Sequence, residues 1–173
     1  MSDEGNVNNT PMIVVDSTRF GDLEVPADSV IDLPAGLIGF PSANKFILVE
    51  HKPPFSWFHS CDDPNLAFVV IDGAEFGQHY NWKPPLNDRD CDFKEADEFA
   101  ILLIVTVRSD PSLTTVNLKA PLFVNIRNRK GVQVIFDDAR YSTRHPLWTE
   151  EDIKEAEKNE AEAKETPKPD KKD

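Results

Sequence analysis

Nine consecutive residues with a single polar member, Phe99-Ala-Ile-Leu-Leu-Ile-Val-Thr-Val107, constrain the fold more than any other stretch of this chain. The run is far too short for a membrane-spanning helix, which takes about 20 residues. Its length and β-branched content favour a strand buried on both faces, although periodicity alone does not separate it from a buried helix. Downstream, Leu122, Val124 and Ile126 share one parity, with Phe123 and Asn125 on the other. Arg127-Asn-Arg-Lys-Gly131 then reads as a turn in which Gly131 supplies a positive φ, and Val132, Val134 and Phe136 resume the alternation. A central strand followed by a β-hairpin is the expected centre of the fold.

Other segments repeat this grammar at intervals of about ten residues. Short strands are expected at residues 13–15, 30–33, 46–49, 57–60 and 66–71, with a strand pair over 18–25 turning at Gly21 and Asp22. An edge strand is expected over 78–82, stopped by Pro84 and Pro85. Pro34-Ala-Gly36-Leu-Ile-Gly39-Phe-Pro41 reads as a loop with special backbone angles. Residues 87–98 read as one short helix or turn before the central strand. The expected class is all-β with small α content: a compact, barrel-like antiparallel domain over residues 13–148, after a disordered 1–12.

Residues 149–173 differ, with ten acids, six bases and Ile153 as the only large apolar residue. Thr149-Glu-Glu-Asp152 has capping-box spacing, and Glu150/Lys154 and Glu160/Lys164 are i,i+4 pairs. A solvated helix to about Glu165 is expected, serving as a solubilising tail without an apolar stripe to dock it.

The whole chain carries 31 acids against 19 bases, a net charge of −12. That balance disfavours direct nucleic-acid binding, which needs clustered Lys and Arg, and suits either simple solubility or a basic protein partner. The first eleven residues are polar and acidic, so no secretory leader is read there. Cys61 and Cys91 are single and thirty apart, as reduced thiols would be. A cytoplasmic protein without membrane contact is the expectation.

Chemistry-bearing candidates are few. Asp62-Asp63 invites a paired-carboxylate reading, but neighbours on an extended chain diverge, and the following Pro64-Asn65 favours an Asx-type turn. Asp88, Asp90 and Asp92 imitate the start of a calcium loop that fails at Phe93 and Phe99. His59, Cys61, His79 and Cys91 lack zinc-site spacing. Arg127, Arg129 and Lys130 form a basic hairpin tip whose ordinary role is to solubilise an exposed loop. A small hydrolase using Asp62 or a Cys61/His59 pair in a barrel mouth remains one alternative. A ligand-binding barrel is another, although the density of Phe, Ile, Leu and Val suggests a filled interior. No cofactor or metal is implied.

Taken together, several segments resemble the flagellar assembly factor FliW family. They are Thr18-Arg-Phe-Gly21, Leu33-Pro-Ala-Gly-Leu-Ile-Gly-Phe40, Ser60-Cys-Asp-Asp-Pro64, Ile104-Val-Thr-Val107, Thr115-Val-Asn-Leu-Lys-Ala-Pro121, Val124-Asn125 and Tyr141-Ser-Thr-Arg-His-Pro-Leu147. They stand in family order and cover about Val14 to Leu147, leaving the tail outside. The resemblance implies a monomeric, non-enzymatic interaction protein. Family members bind the RNA-binding translational repressor CsrA and, alternatively, flagellin, so that filament supply feeds back on flagellin synthesis. Asp62, Asp63, Asn117, Lys119 and Asn125 are then the polar motif positions expected to touch a partner. Phe20, Gly21, Pro34, Gly36, Gly39, Pro64, Pro121 and Pro146 are the motif positions expected to shape turns.

Overall fold

The structure, a computed structural model, describes residues 10–76 and 82–165. The chain opens with an antiparallel pair, β1 (Met12–Ser17) and β2 (Gly21–Pro26), in a register running from Met12↔Pro26 to Ser17↔Gly21. The turn is therefore Thr18-Arg19-Phe20, three residues earlier than the Gly21-Asp22 turn the sequence suggested. Gly21, at φ 73°, is the left-handed exit residue that a three-residue hairpin loop needs. Met12 already belongs to β1, so the ordered fold begins before residue 13.

The main body comprises β3 (Ile31–Asp32), β4 (Lys45–Glu50), β5 (Phe55–Ser60), β6 (Ala67–Asp72), β7 (Phe99–Thr106), β8 (Thr115–Val116), β9 (Leu122–Asn125), β10 (Lys130–Gln133) and β11 (His145–Pro146). Neighbours run β7-β6-β5-β4-β3-β10-β9, and β9 pairs back onto β7 through Leu102↔Leu122 and Phe99↔Asn125. Those seven strands close a barrel, which leaves no open edge within the ring. β8 and β11 continue the sheet outward from β7.

Closure uses one parallel step in an otherwise antiparallel ring, the bridge Lys130↔Asp32 between β10 and β3. The seam is reinforced at Arg129, whose carbonyl accepts from Asp32 N–H at 2.9 Å and whose guanidinium donates to Ser29 O at 2.7 Å. The hairpin turn between β9 and β10 takes its positive φ at Arg129, 56°, and not at Gly131. Gly131 is required for space instead: a Cβ there would lie 2.8 Å from Leu33 Cδ2 and 3.0 Å from Phe123 O.

Strand alternation divides the apolar residues into two cores. Ile31, Leu33, Phe46, Phe58, Val70, Leu102, Leu122 and Val124 fill the barrel, with Phe46 and Phe58 stacked at 4.3 Å. Ile71, Leu103, Val105 and Phe123 point outward and are covered by Val116, Leu118, Trp82, Phe93 and Tyr141. β7 thus carries Leu102 on one face and Leu103 on the other, both buried, as its unbroken apolar run required. The same holds for β9, where all four residues are buried, so it is not the one-sided strand its parity suggested.

Residues 94–97 form a turn and not a helix. Asp97 N–H donates to Lys94 O at 3.0 Å, while the Asp97 carboxylate accepts from Lys94 N–H at 2.9 Å, an arrangement that competes with helical bonding. Of the expected edge strand at 78–82, residues 78–81 lie outside the described residues; Trp82 is buried and stacks on Tyr141 at 5.8 Å. In the loop after β3, Gly36 and Gly39 take φ of 69° and 87°, and a Cβ on Gly36 would approach Pro41 O within 2.5 Å.

The last element is α1 (Glu150–Glu165). Thr149 and Asp152 build the anticipated capping box. Asp152 N–H donates to Thr149 Oγ1 at 3.1 Å, and the Asp152 carboxylate accepts from Thr149 N–H at 2.8 Å and from its hydroxyl at 2.6 Å. Among the described residues no helix is long and apolar enough to cross a membrane.

Candidate partner-binding face

Two separated motif segments meet at one corner of the barrel. Thr18, at the tip of the β1–β2 hairpin, donates to Pro64 O twice, from N–H at 3.0 Å and from its hydroxyl at 3.1 Å. Beneath them, His59 on β5 lies fully buried between the two segments. His59 Nδ1–H donates to Ser60 O at 2.6 Å, since a carbonyl can only accept, and in the neutral ring Nε2 accepts from the Ser17 hydroxyl at 2.9 Å. The Ser17 oxygen in turn accepts from Arg19 N–H at 3.2 Å and Phe20 N–H at 3.0 Å. This chain of bonds fixes the hairpin tip on the barrel wall.

The tip presents aromatic surface. Phe20, 38% exposed, meets Trp57 edge-on at 6.0 Å, and the Arg19 guanidinium lies 4.3 Å from the centre of the Trp57 ring. On the β5–β6 turn beside it, Asp62 and Asp63 are both exposed. Ser60 Oγ accepts from Asp62 N–H at 3.1 Å and from Asp63 N–H at 3.0 Å, and the Asp63 carboxylate accepts from Asn65 N–H at 2.9 Å. The segment forms the expected Asx-type turn, with the Asp63 carboxylate engaged by Asn65 N–H and not by a proton shared with Asp62.

The other three polar candidates lie elsewhere. Asn117 and Lys119 occupy the half-buried segment between β8 and β9, where Asn117 Oδ1 accepts from Lys119 N–H and Ala120 N–H, each at 3.1 Å. Asn117 thereby shapes the turn that delivers β9. Asn125 is wholly buried, 0% exposed, which rules it out as a contact residue. Its amide donates to Cys91 O at 3.1 Å and to the Asp97 carboxylate at 3.2 Å, and its Oδ1 accepts from Arg127 N–H at 3.0 Å. Arg127 completes the knot by donating to Asp97 at 3.0 and 3.1 Å and to Asp92 O at 2.6 Å. Those bonds hold the Asp97 carboxyl down at about 2 and push the Arg127 guanidinium upward. The hairpin tip at 127–130 is accordingly no free basic patch.

The turn-shaping motif positions fall into place around this frame. Pro121 O accepts from Val134 N–H at 3.0 Å, Pro146 pairs with Thr115 in β11–β8, and Asn44 donates to Leu33 O and, at 3.4 Å, to Pro34 O.

His59 and Cys61 are not arranged as a base and nucleophile. Both His59 nitrogens are engaged, and the Cys61 thiol is pushed up to about 11, first by burial and then by Asp62. The recess beside His59 measures about 270 Å³ and is walled by Thr18, Arg19, Pro64, Asn65 and Ala67. Among the described residues no group of three His, Cys, Asp or Glu side chains is placed to hold a metal. Asp88 is spent on Cys91 N–H, and Asp92 faces Arg127 at 3.4 Å and Lys94 at 3.6 Å.

The sequence model of the family described as FliW protein matches residues 14–147. The chain belongs to the FliW family. A flagellar assembly factor FliW from Syntrophus aciditrophicus is 37% identical over 138 residues, covering 77% of this chain and 86% of its own. One from Geobacter sulfurreducens is 36% identical, covering 78% and 86%. The crystal structure of a flagellar assembly factor FliW superposes with a TM-score of 0.72 at 28% identity, covering 80% of this chain and 99% of that one. The family match ends at residue 147, before α1 begins at Glu150.

The Ser17–His59 bond was not found in the sequence. Its one local signal is the spacing of Ser17 before Arg19 and Phe20, which suits a serine accepting backbone bonds two and three residues ahead.

Proposed function

We propose that this chain is a cytoplasmic flagellar assembly factor that binds the translational repressor CsrA and, alternatively, flagellin, acting as a monomer and without direct contact to nucleic acid. Binding CsrA would relieve repression of flagellin translation, and newly made flagellin would recapture the factor as a chaperone-like partner. The observation that carries this reading is the corner where Thr18-Arg19-Phe20 is bonded to Pro64. Two segments of the family pattern that are 46 residues apart there form a single exposed surface. An exposed aromatic group next to a turn that carries two exposed carboxylates supports a binding patch for a basic protein, with apolar anchors and complementary charge at the edge. The net charge of −12 favours the same class of partner over RNA itself.

Asp62 and Asp63 are the contact residues proposed on this face. Lys119 and Asn117 are assigned a secondary role at most, because the Asn117 side chain is committed to its own turn. The test is calorimetric titration of CsrA into the Asp62→Ala/Asp63→Ala double variant. Folding should be unchanged and affinity should fall about tenfold, the loss expected for two rim charges at low salt. A folded variant with unchanged affinity would remove these residues from the interface.

A further inference from the structure

The groove between α1 and the loop after β7 has one wall, Trp148 and α1, beyond the residues matched to the family, and it does not depend on the reading above. It encloses about 660 Å³, within the range of roughly 300–1,000 Å³ typical of binding sites. Pro111, Trp148, Ile153 and Ala156 supply its apolar lining. Asp110, Asp152, Glu155, Glu157 and Glu160 supply five carboxylates, and no Lys or Arg lines it.

Its walls are built, not incidental. Trp148 is half-buried and anchored edge-on against Phe55 at 6.5 Å. The capping box seats the first turn of α1 directly after it. Opposite, the Asp110 carboxylate caps the single helical turn Pro111–Leu113 by accepting from Ser112 N–H at 3.0 Å and its hydroxyl at 2.7 Å. The Ser112 hydroxyl lowers the Asp110 pKa, as the Thr149 hydroxyl does for Asp152. Leu113, 62% exposed, extends the apolar surface at the rim. The helix face turned to the groove has only Ile153 and Ala156 before Glu160 interrupts it, too little apolar area for α1 to lie flat against the barrel. The groove therefore stays open.

We propose that this groove docks a basic amphipathic helix of a partner protein, whose apolar side chains enter between Trp148 and Ile153 while its Lys and Arg residues face the carboxylate walls. Charge decides the class of occupant: five carboxylates without a counter-charge repel an acidic segment and attract a basic one. The C-terminal extension is then a second docking element and more than a solubilising tail.

The experiment uses the full chain labelled with ¹⁵N and an amphipathic leucine–lysine peptide, with the leucine–glutamate peptide as its opposite. The leucine–lysine peptide should bind at micromolar concentration and shift the Trp148 indole together with the amides of Ser112, Leu113, Ile153 and Ala156. The leucine–glutamate peptide should leave them in place. Glu155→Lys/Glu160→Lys, both on the exposed helix surface, should weaken binding about tenfold. Ile153→Ser should weaken it as well, and should still do so in about 0.5 M salt, where the charge term is screened. Peptide binding that moves other residues but not Trp148, or that neither variant alters, would overturn the proposal. So would self-association of the free protein in ultracentrifugation with Trp148 buried, which would give the groove to a second copy.

Discussion

The turn at Asp62 and Asp63 and the segment holding Asp92 and Asp97 carry the same side chains, and the barrel uses them in opposite ways. In the second, both aspartates are tied: Asp97 to Arg127, Lys94 N–H and Asn125, and Asp92 to Arg127. The result fastens residues 91–98 onto the end of β9. In the first, Asp63 gives one oxygen to Asn65 N–H, and both carboxylates otherwise face water beside Phe20 and Arg19. A carboxylate committed to an internal bond contributes to folding; one held by its backbone but free at its tip is available to a partner. The comparison separates stability from recognition within one small domain.

The largest expected effect breaks the tied side. Asn125→Ala would leave Arg127 N–H without its acceptor and leave Cys91 O with Asn128 as its one remaining amide donor, at a fully buried position, costing about 1–3 kcal/mol of stability. Urea unfolding would measure it, and the fraction that remains folded should bind CsrA as the parent does. Loss of affinity in the folded fraction would mean that the two regions are coupled.

On the open side, Phe20→Ser should do the reverse. The ring is exposed and rests on Trp57, so its removal should change stability by less than about 1 kcal/mol while weakening partner binding by about tenfold or more. A variant that is strongly destabilised but binds normally would reassign Phe20 to the fold.

The smallest effect is in the pH dependence. Asp97 sits at about 2 against its ordinary 3.8, held there first by Arg127. A depressed carboxylate stabilises the folded state above its unfolded pKa, and that contribution fades as pH falls from about 4 towards 2. Asp97→Asn should therefore be less stable than the parent at neutral pH, with the gap narrowing over that acid window. A gap that is constant with pH would place the role of Asp97 in geometry and not in charge.

Much of this fold was legible as local pattern. The run from Phe99 announced a two-faced strand, the capping box at Thr149 located α1, and Pro64-Asn65 identified the Asp63 turn. Each signal lies within one element, where side-chain period and turn chemistry act directly. What escaped depends on contacts across the chain. Asn125 took its place in an alternating strand as a polar, outward residue, yet Cys91 and Asp97, 34 and 28 residues away, give it a buried role. Gly131 looked like a turn glycine, but Leu33 and Phe123 are what forbid a side chain there. The three bases at 127–130 read as an exposed patch until the acids that neutralise Arg127 arrived from another segment. The candidate face was half visible: the exposed carboxylates were named, while the Ser17–His59 bond that positions the aromatic half spans 42 residues and left no pattern of its own.

The measurement that tests the account most directly is a calorimetric titration of this protein with CsrA, repeated after saturation with flagellin. The account predicts tight binding in the first titration and its loss in the second, with both responses weakened in Phe20→Ser. Binding to neither protein would contradict it, leaving a FliW barrel whose exposed corner serves some other partner.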